Sequence, residues 1–294
     1  MAEIINEPCG VLIINKPEGP TSHDIVNKVR RLYSTKKVGH TGTLDPMATG
    51  VLPICIGNAT RASDMLTESD KKYRAQLLLG KRTDTLDIEG DVLEERAVNV
   101  TEQEIRDVID TFIGEIDQIP PMYSAIKKDG KKLYELARQG IEIEREPRRI
   151  NIYSIDIVDI NIPYITVDVH CSKGTYIRSL CVDIGTRLGT GAVMTELRRT
   201  YTAGFSIDDA YTIEQLDAIE DLSKALNPTD SLFEDLPKIH LNEKQERSIV
   251  NGVRMTWRQG EEGESYRVYG ADRRFLCVSR LCDGKLVLVK SFWS

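Results

Sequence analysis

The sequence has 294 residues, of which 40% are apolar and 29% are charged, and its formal net charge is −7. This composition excludes an intrinsically disordered chain, and the length fits one large domain or a large domain with a small one. The acidic amino-terminal stretch and the short apolar runs favour neither a signal peptide nor a membrane-spanning helix, so we expect a cytoplasmic protein.

Two kinds of periodicity run along the chain. Apolar runs bounded by turn residues predict strands at residues 10–16, 73–80, 164–171, 195–207, 265–271, 274–282 and 285–293. Apolar residues at helical spacing behind capping residues predict helices that begin at Thr21 or Ser22, span 101–113, begin near Tyr176, span 212–222 and span 243–250. Residues 38–57 are dense in Gly and Pro and predict a loop.

These elements follow each other without regular β-α-β alternation. We therefore expect an α+β fold, with a mixed, largely antiparallel central sheet and helices packed on it. An acidic stretch before residue 234 predicts a boundary between a domain at 1–233 and a small β-rich module at 234–294. Residues 121–149 predict an exposed insert in the first domain, with a short helical pattern near its middle.

The charge is unevenly distributed. Residues 121–149 hold eight Lys and Arg against five Asp and Glu, and two further basic clusters lie at 28–37 and 71–82. Residues 205–264 hold fourteen acidic and six basic residues. Any one basic cluster is typical of a solvated surface, but three around one Gly-rich loop indicate a basic surface patch.

Metal and phosphate signatures are missing from the sequence. The six cysteines form no Cys-x-x-Cys pair, and the four histidines are scattered, so we expect free buried cysteines and no metal. The Gly-rich stretch GHTGTLDPMATG has no following Gly-Lys-Ser/Thr, which excludes a Walker phosphate loop. The acidic run at 84–91 lacks EF-hand spacing and is interpreted as a set of turn-capping residues.

Asp45 is the one carboxylate in the Gly-rich loop. From its position alone, the stronger interpretation is that it caps the turn by accepting backbone hydrogen bonds. A catalytic role requires a counter-cation that keeps the buried acid ionised and an aromatic or apolar wall that holds a substrate. Arg178, at the start of a predicted helix, and Tyr73, at the start of a predicted strand, are candidates for these two parts. Their alternatives are a surface arginine and an ordinary strand tyrosine.

Several blocks of the sequence together resemble the TruB family of tRNA pseudouridine synthases. They occur in the family's order and are NKPEGPTSHD at 15–24, GHTGTLDPMATGVLPICIG at 39–57, KKYRAQLLLGKRTDTLDIEGD at 71–91, IPPMYSAIKKDGKKLYELARQGIEIEREPR at 119–148, HCSKGTYIRSLCVDIG at 170–185 and LRR at 197–199. The resemblance implies the pseudouridine synthase fold and an enzyme that isomerises uridine 55 in the T-arm of tRNA.

The resemblance also implies roles for single residues. Asp45 corresponds to the family's essential catalytic acid, Tyr73 to the tyrosine that stacks on the flipped base, and Arg178 to the arginine that pairs with the aspartate. Tyr73 is in addition a candidate proton acceptor. Leu197 is expected to pack in the uracil pocket, and His40 is similar to the histidine that helps to displace the target nucleotide.

Further matched residues are expected to bind substrate, namely Lys16, Tyr176 and the insert residues Lys127, Lys128, Lys131 and Lys132. The insert corresponds to an RNA-contacting element, and 234–294 is expected to resemble an RNA-binding PUA-type module. The reaction requires neither metal nor cofactor. The expected partner is the T-arm stem-loop of tRNA, and we expect a monomer without membrane contact. A tRNA-binding and folding activity independent of catalysis, and a glycosidase that releases free uracil, are the alternatives.

Overall fold

The computed structural model describes residues 7–66, 69–128 and 130–293. Within them the strands are β1 (Gly10–Lys16), β2 (Val38–His40), β3 (Thr49–Ile56), β4 (Lys71–Leu79), β5 (Lys81–Thr83), β6 (Val92–Glu95), β7 (Gly114–Gln118), β8 (Lys127–Lys128), β9 (Lys131–Lys132), β10 (Arg148–Asn161), β11 (Tyr164–Cys171), β12 (Ala192–Thr202), β13 (Phe205–Ser206), β14 (Lys238–His240), β15 (Met255–Thr256), β16 (Ser265–Tyr269), β17 (Phe275–Cys282) and β18 (Lys285–Ser291). The helices are α1 (Ser22–Leu32), α2 (Ser63–Leu66), α3 (Glu102–Asp110), α4 (Leu133–Ala137), α5 (Ile177–Arg187), α6 (Ile213–Asp217) and α7 (Glu243–Val250). None of the helices described here is long and apolar enough to cross a membrane.

The described residues divide into two compact units. Unit 1 contains residues 7–46, 52–66 and 203–293, and unit 2 contains residues 47–51, 69–128 and 130–202.

Unit 2 is built on a mainly antiparallel sheet. β4 pairs with β11 on one side and with β12 on the other, both antiparallel. β10 pairs with β11 and with β7, also antiparallel, whereas β12 pairs in parallel with the first residues of β3. α5 packs against β12 and β4. The predicted α+β class with a mixed, largely antiparallel sheet is confirmed.

The alternation of β4 determines which of its side chains face the interior. Successive side chains of a strand point to opposite faces, and the buried set of β4 is Lys71, Tyr73, Ala75, Leu77 and Leu79. Tyr73 is paired with Val169 of β11 and with Arg199 of β12. The hydrogen-bonded strands on both sides therefore fix the backbone position of Tyr73.

Unit 1 begins with the predicted strand, since β1 has the expected bounds. Thr21 is the N-cap of α1: its side chain accepts a hydrogen bond from the Asp24 N–H, and the Asp24 carboxylate accepts one from the Thr21 N–H at 2.9 Å. β2 then pairs with β3 in antiparallel register, and His40 lies opposite Ile54.

The predicted loop over 38–57 is wrong at both ends. Residues 38–40 and 49–56 are strands, and only 41–48 connect them. The density of glycine predicted a loop, but Gly50 belongs to strand β3. Its φ is +99°, and a Cβ at this position would lie 2.2 Å from the carbonyl oxygen of Arg199. Glycine therefore permits the close approach of β3 and β12.

Two predicted helices are shorter than expected, and one predicted strand is divided. α3 ends at Asp110 instead of residue 113, and α6 covers Ile213–Asp217 instead of 212–222. The strand predicted over 195–207 is divided between β12 and β13, because Ala203 and Gly204 have φ values of +53° and +84°. Left-handed residues interrupt a strand and turn the chain.

The carboxyl-terminal residues of unit 1 form a five-stranded sheet in the order β14-β16-β17-β18-β15. α7 has the predicted bounds, and the three predicted strands are present as β16, β17 and β18. They share a small core that consists of Ile239, Leu241, Ile249, Tyr266, Val268, Leu276, Cys277, Leu281 and Leu286. Arg61 donates hydrogen bonds to the carbonyl oxygens of Ser291 and Trp293, at 3.2 and 2.9 Å. The boundary at 233/234 stays a prediction.

Candidate active site

Asp45 lies half-buried in the connection between β2 and β3, in unit 1. The residue before it is clamped by the first turn of α1, because Ser22 Oγ accepts from the Leu44 N–H at 2.9 Å and donates to the Leu44 carbonyl at 3.1 Å. Because Ser22 is buried, this pair of hydrogen bonds fixes the loop backbone beside the Asp45 carboxylate.

Lys16 approaches the same loop from the end of β1 and is fully buried. Its Nζ donates to the carbonyl oxygen of Pro46 at 3.0 Å and to that of Pro17 at 2.9 Å. Burial lowers the pKa of Lys16 from 10.5 to about 8, and the carboxylates of Asp45 and Glu18 counter this shift in part. Lys16 therefore supplies positive charge close to Asp45 within unit 1. The sequence alone indicated only Arg178 as a candidate counter-cation.

His40 ends β2 and is half-buried. Its Nδ1 accepts a hydrogen bond from the Gly42 N–H at 3.4 Å. The ring thus packs against the start of the Asp45 connection, in the same unit as Asp45 and Lys16.

Tyr73 and Leu197 share one face of the unit 2 sheet. Tyr73 on β4 is 7% exposed and Leu197 on β12 is 8% exposed. Leu197 is paired with Ala75 and Arg199 with Tyr73, without a bulge between the two pairs. The structure therefore brings the predicted stacking tyrosine and the predicted pocket leucine together as diagonal neighbours.

Arg178, in the first turn of α5, is only 6% exposed, so the interpretation as a surface arginine is wrong. Its Nη1 donates to the carbonyl oxygen of Thr85 at 3.0 Å, and its Nη2 donates to that of Tyr123 at 2.8 Å. Nη1 also lies 3.6 Å from Oδ2 of Asp87, which is itself buried. The guanidinium therefore links the turn at 84–91 to the first residues of the insert.

The interpretation of the acidic run as turn-capping is confirmed only in part. The Asp87 carboxylate accepts from Thr85 Oγ1 at 2.6 Å and from the Glu89 N–H at 3.2 Å, as a turn cap does. It is in addition the buried ion-pair partner of Arg178, which sequence reasoning missed. Loss of Arg178 would remove this ion-pair partner from a buried carboxylate, which is strongly destabilising.

Tyr176, the N-cap residue of α5, is held by the side chain of Gln118. The Gln118 amide donates to the Tyr176 carbonyl at 3.0 Å and accepts from the Tyr176 N–H at 2.8 Å. Ser179 Oγ also donates to the Ile119 carbonyl at 3.0 Å. These bonds fix the start of α5, and therefore Arg178, against the end of β7.

The four insert lysines lie on the hairpin formed by β8 and β9. Three of them are exposed, namely Lys127, Lys128 and Lys131. Lys132 Nζ lies 5.3 Å from the centre of the Tyr134 ring and hydrogen-bonds its hydroxyl at 3.2 Å. The predicted helical pattern follows as α4. A basic hairpin with an aromatic ring behind it suits contact with a phosphate backbone.

The predicted site residues are therefore divided. Asp45, Lys16 and His40 belong to unit 1, and the remaining ones to unit 2. The pairing of Asp45 with Arg178 and the approach of Tyr73 to Asp45 stay predictions. Across residues 7–66, 69–128 and 130–293, no group of three or more His, Cys, Asp and Glu side chains is arranged to hold a metal ion.

The sequence was compared with known proteins. Residues 30–177 match the family model "TruB family pseudouridylate synthase (N terminal domain)", and residues 178–234 match "tRNA pseudouridylate synthase B C-terminal domain". The chain is 47% identical to tRNA pseudouridine synthase B of Clostridium kluyveri, over 96% of this chain and 99% of that protein.

Two solved structures share the fold. A Cbf5-Nop10-Gar1 complex is 27% identical with a TM-score of 0.75, and the match covers 98% of this chain and 86% of that one. An H/ACA RNP bound to a substrate RNA containing 2′-deoxyuridine is 25% identical with a TM-score of 0.74, over 97% and 85% of the two chains. With family models that together match most of the chain and a relative alike over nearly its full length, the chain belongs to the TruB family of pseudouridylate synthases.

Proposed function

We propose that this protein converts uridine 55 in the T-arm of tRNA into pseudouridine, with Asp45 as the catalytic carboxylate. Membership of the TruB family supports the reaction, and the relative named tRNA pseudouridine synthase B supports tRNA as the substrate. The related RNP that binds a substrate RNA supports an RNA partner. We further expect a cytoplasmic monomer.

The reaction is an isomerisation. The N1–C1′ glycosidic bond of uridine breaks, the uracil turns, and a C5–C1′ bond forms; C5 loses a proton, and N1 carries one in the product. A single carboxylate can serve by adding to C1′, by adding to the base, or by removing a proton from C2′. Each of these routes requires the carboxylate in its ionised form.

The observation that carries the assignment of Asp45 is the buried ammonium of Lys16 beside it. A half-buried carboxylate tends to take up a proton, and a nearby positive charge opposes that tendency. Lys16 also donates a hydrogen bond to the carbonyl of Pro46, the residue after Asp45. It therefore positions the loop backbone in addition to stabilising the ionised carboxylate. Arg178 is proposed as a second charge partner of Asp45, as the family resemblance implies.

The target base must leave the folded T-loop before it reaches the carboxylate. Extrusion of a base costs a few kcal/mol, and stacking on an aromatic ring returns about 1–3 kcal/mol. We assign the stacking to Tyr73, the apolar wall to Leu197 and the displacement of the nucleotide to His40. The shared face of Tyr73 and Leu197 in unit 2 supports a single apolar pocket for uracil. Tyr176, which opens α5, is proposed to contact the same nucleotide.

The basic hairpin of the insert is proposed to bind the phosphate backbone of the T-arm. Lys127, Lys128 and Lys131 are exposed, and Lys128 Nζ donates to the carbonyl of Glu144 at 2.9 Å, which supports the hairpin from within the insert. Contacts of this kind anchor RNA without reading its sequence, and their strength falls as salt rises.

The test is Asp45→Asn, with Asp159→Asn as its control, because Asp159 is an exposed carboxylate on β10. We expect Asp45→Asn to bind tRNA but to release no tritium from transcripts labelled at uridine C5, and Asp159→Asn to keep the wild-type rate. Near-normal release by Asp45→Asn would refute the assignment. Free uracil among the products would show a glycosidase instead, and tRNA refolding by Asp45→Asn would measure any activity independent of catalysis.

A further inference from the structure

Arg199 is the third residue of the LRR tripeptide, and none of the roles proposed above uses it. It is 1% exposed and belongs to the largest fully buried side chains of the residues described here. A buried guanidinium loses its hydration, and an apolar residue of similar size would stabilise the sheet as well or better. Because burial of the Arg199 guanidinium is unfavourable, we expect a role of this side chain within unit 2 in the contacts that it makes.

Backbone contacts fix where the Arg199 side chain begins. Arg199 is paired with Tyr73 of β4 on one side and with Gly50 of β3 on the other. The parallel approach to β3 is so close that only glycine fits at position 50. The Cα of Arg199 therefore has a set position between the two strands.

Two groups then engage the guanidinium. Its Nε donates to the carbonyl oxygen of Val51 at 2.7 Å, and the side chain also hydrogen-bonds to Tyr73. Because a guanidinium only donates, the phenol oxygen of Tyr73 is the acceptor. Burial lowers the pKa of Arg199, whereas the neighbouring Tyr73 raises it.

We infer that Arg199 is a positioning residue for Tyr73, which anchors the phenol oxygen to β3 and so fixes the plane of the ring on which the target base stacks. The inference rests on the proposed function of Tyr73. A fixed ring presents its face without loss of side-chain freedom when the base arrives, and misplacement of a catalytic group by about 1 Å costs about 100-fold in rate. Lysine at position 199 keeps the charge, but its single ammonium lacks the planar fork that bridges two acceptors.

The test is a double-mutant cycle of Arg199→Lys and Tyr73→Phe, measured by tritium release from C5-labelled tRNA. We expect each single variant to lower kcat by about 10- to 100-fold with little change in KM, since a charged hydrogen bond is lost. In the Tyr73→Phe background, Arg199→Lys should change kcat by less than about twofold. Arg198→Lys, an exposed position of the same tripeptide, is the matched control with wild-type kcat.

If Arg199→Lys lowers kcat by the same factor in both backgrounds, the inference is overturned, because the effect of a merely structural role would be additive with that of Tyr73→Phe. Thermal melts identify a variant that fails to fold. If Arg199→Lys does not fold, Tyr73→Phe decides alone: a wild-type kcat would mean that the anchored phenol oxygen has no role. Absence of pseudouridine from the wild-type reaction would refute the proposed function itself, whereas an additive cycle in an active enzyme refutes only the role of Arg199.

Discussion

Replacing Lys16 by Met removes a buried positive charge, and the effect on stability depends on pH in a direction that the structure defines. Burial shifts the pKa of Lys16 from 10.5 to about 8, which corresponds to roughly 3 kcal/mol at 1.36 kcal/mol per unit. Between pH 8 and 10.5 the unfolded chain still binds the proton that the folded chain has released. The free energy of unfolding of the wild type therefore rises with pH through this window, and the burial cost is fully present below it.

Urea unfolding at pH 7.5, 9 and 10.5 measures this cost. Both tryptophans, Trp257 and Trp293, belong to unit 1, as Lys16 does, so their fluorescence follows the relevant unit. The stability difference, wild type minus Lys16→Met, should increase by roughly 3 kcal/mol from the lowest to the highest pH. Lys244→Met is the control for loss of an exposed lysine. A difference that stays constant across the three pH values would refute a buried ammonium at position 16.

Three further predictions follow from particular contacts. Gln118→Glu replaces the amide donor with an oxygen facing the Tyr176 carbonyl and should lower turnover by about tenfold or more, whereas Gln103→Glu at an exposed position of α3 should not; equal rates in a tritium-release assay would argue against the clamp. Changing the four insert lysines to Gln should reduce the slope of log binding constant against log salt by up to about three to four, and an unchanged slope in filter binding would exclude phosphate contacts there. The four residues are Lys127, Lys128, Lys131 and Lys132. Gly50→Ala should destabilise far more than Gly19→Ala, since both have φ near +100° but only a Cβ at position 50 meets backbone, and equal melting temperatures would refute that clash.

Periodicity predicted most of the elements because their side chains obey local rules. β1, α7 and the amino-terminal caps of α1 and α3 have the expected positions, since apolar spacing and caps act within a few residues. The loop at 38–57 was predicted too long, because the reason for Gly50 lies on β12, about 150 residues away.

Sequence motifs predicted individual residues of the candidate site, but they did not predict the contacts between residues that are far apart in the chain. The Asp87 ion pair and the Gln118 clamp join residues 91 and 58 positions apart, and a single sequence does not show such pairs. Arg199 had a usable signal: with Leu197 buried, the two-residue period of a strand places Arg199 on the same face. An arginine at an interior strand position is therefore a signal of function that the sequence alone contains.

The most direct test of the proposed reaction is the position of pseudouridine in a tRNA transcript after incubation with the purified wild-type protein. Mapping of the transcript at single-nucleotide resolution should find pseudouridine at position 55 and no other, and a transcript with cytidine at that position should remain unmodified. An unmodified uridine 55, or pseudouridine formed only at other positions, would contradict the proposed function.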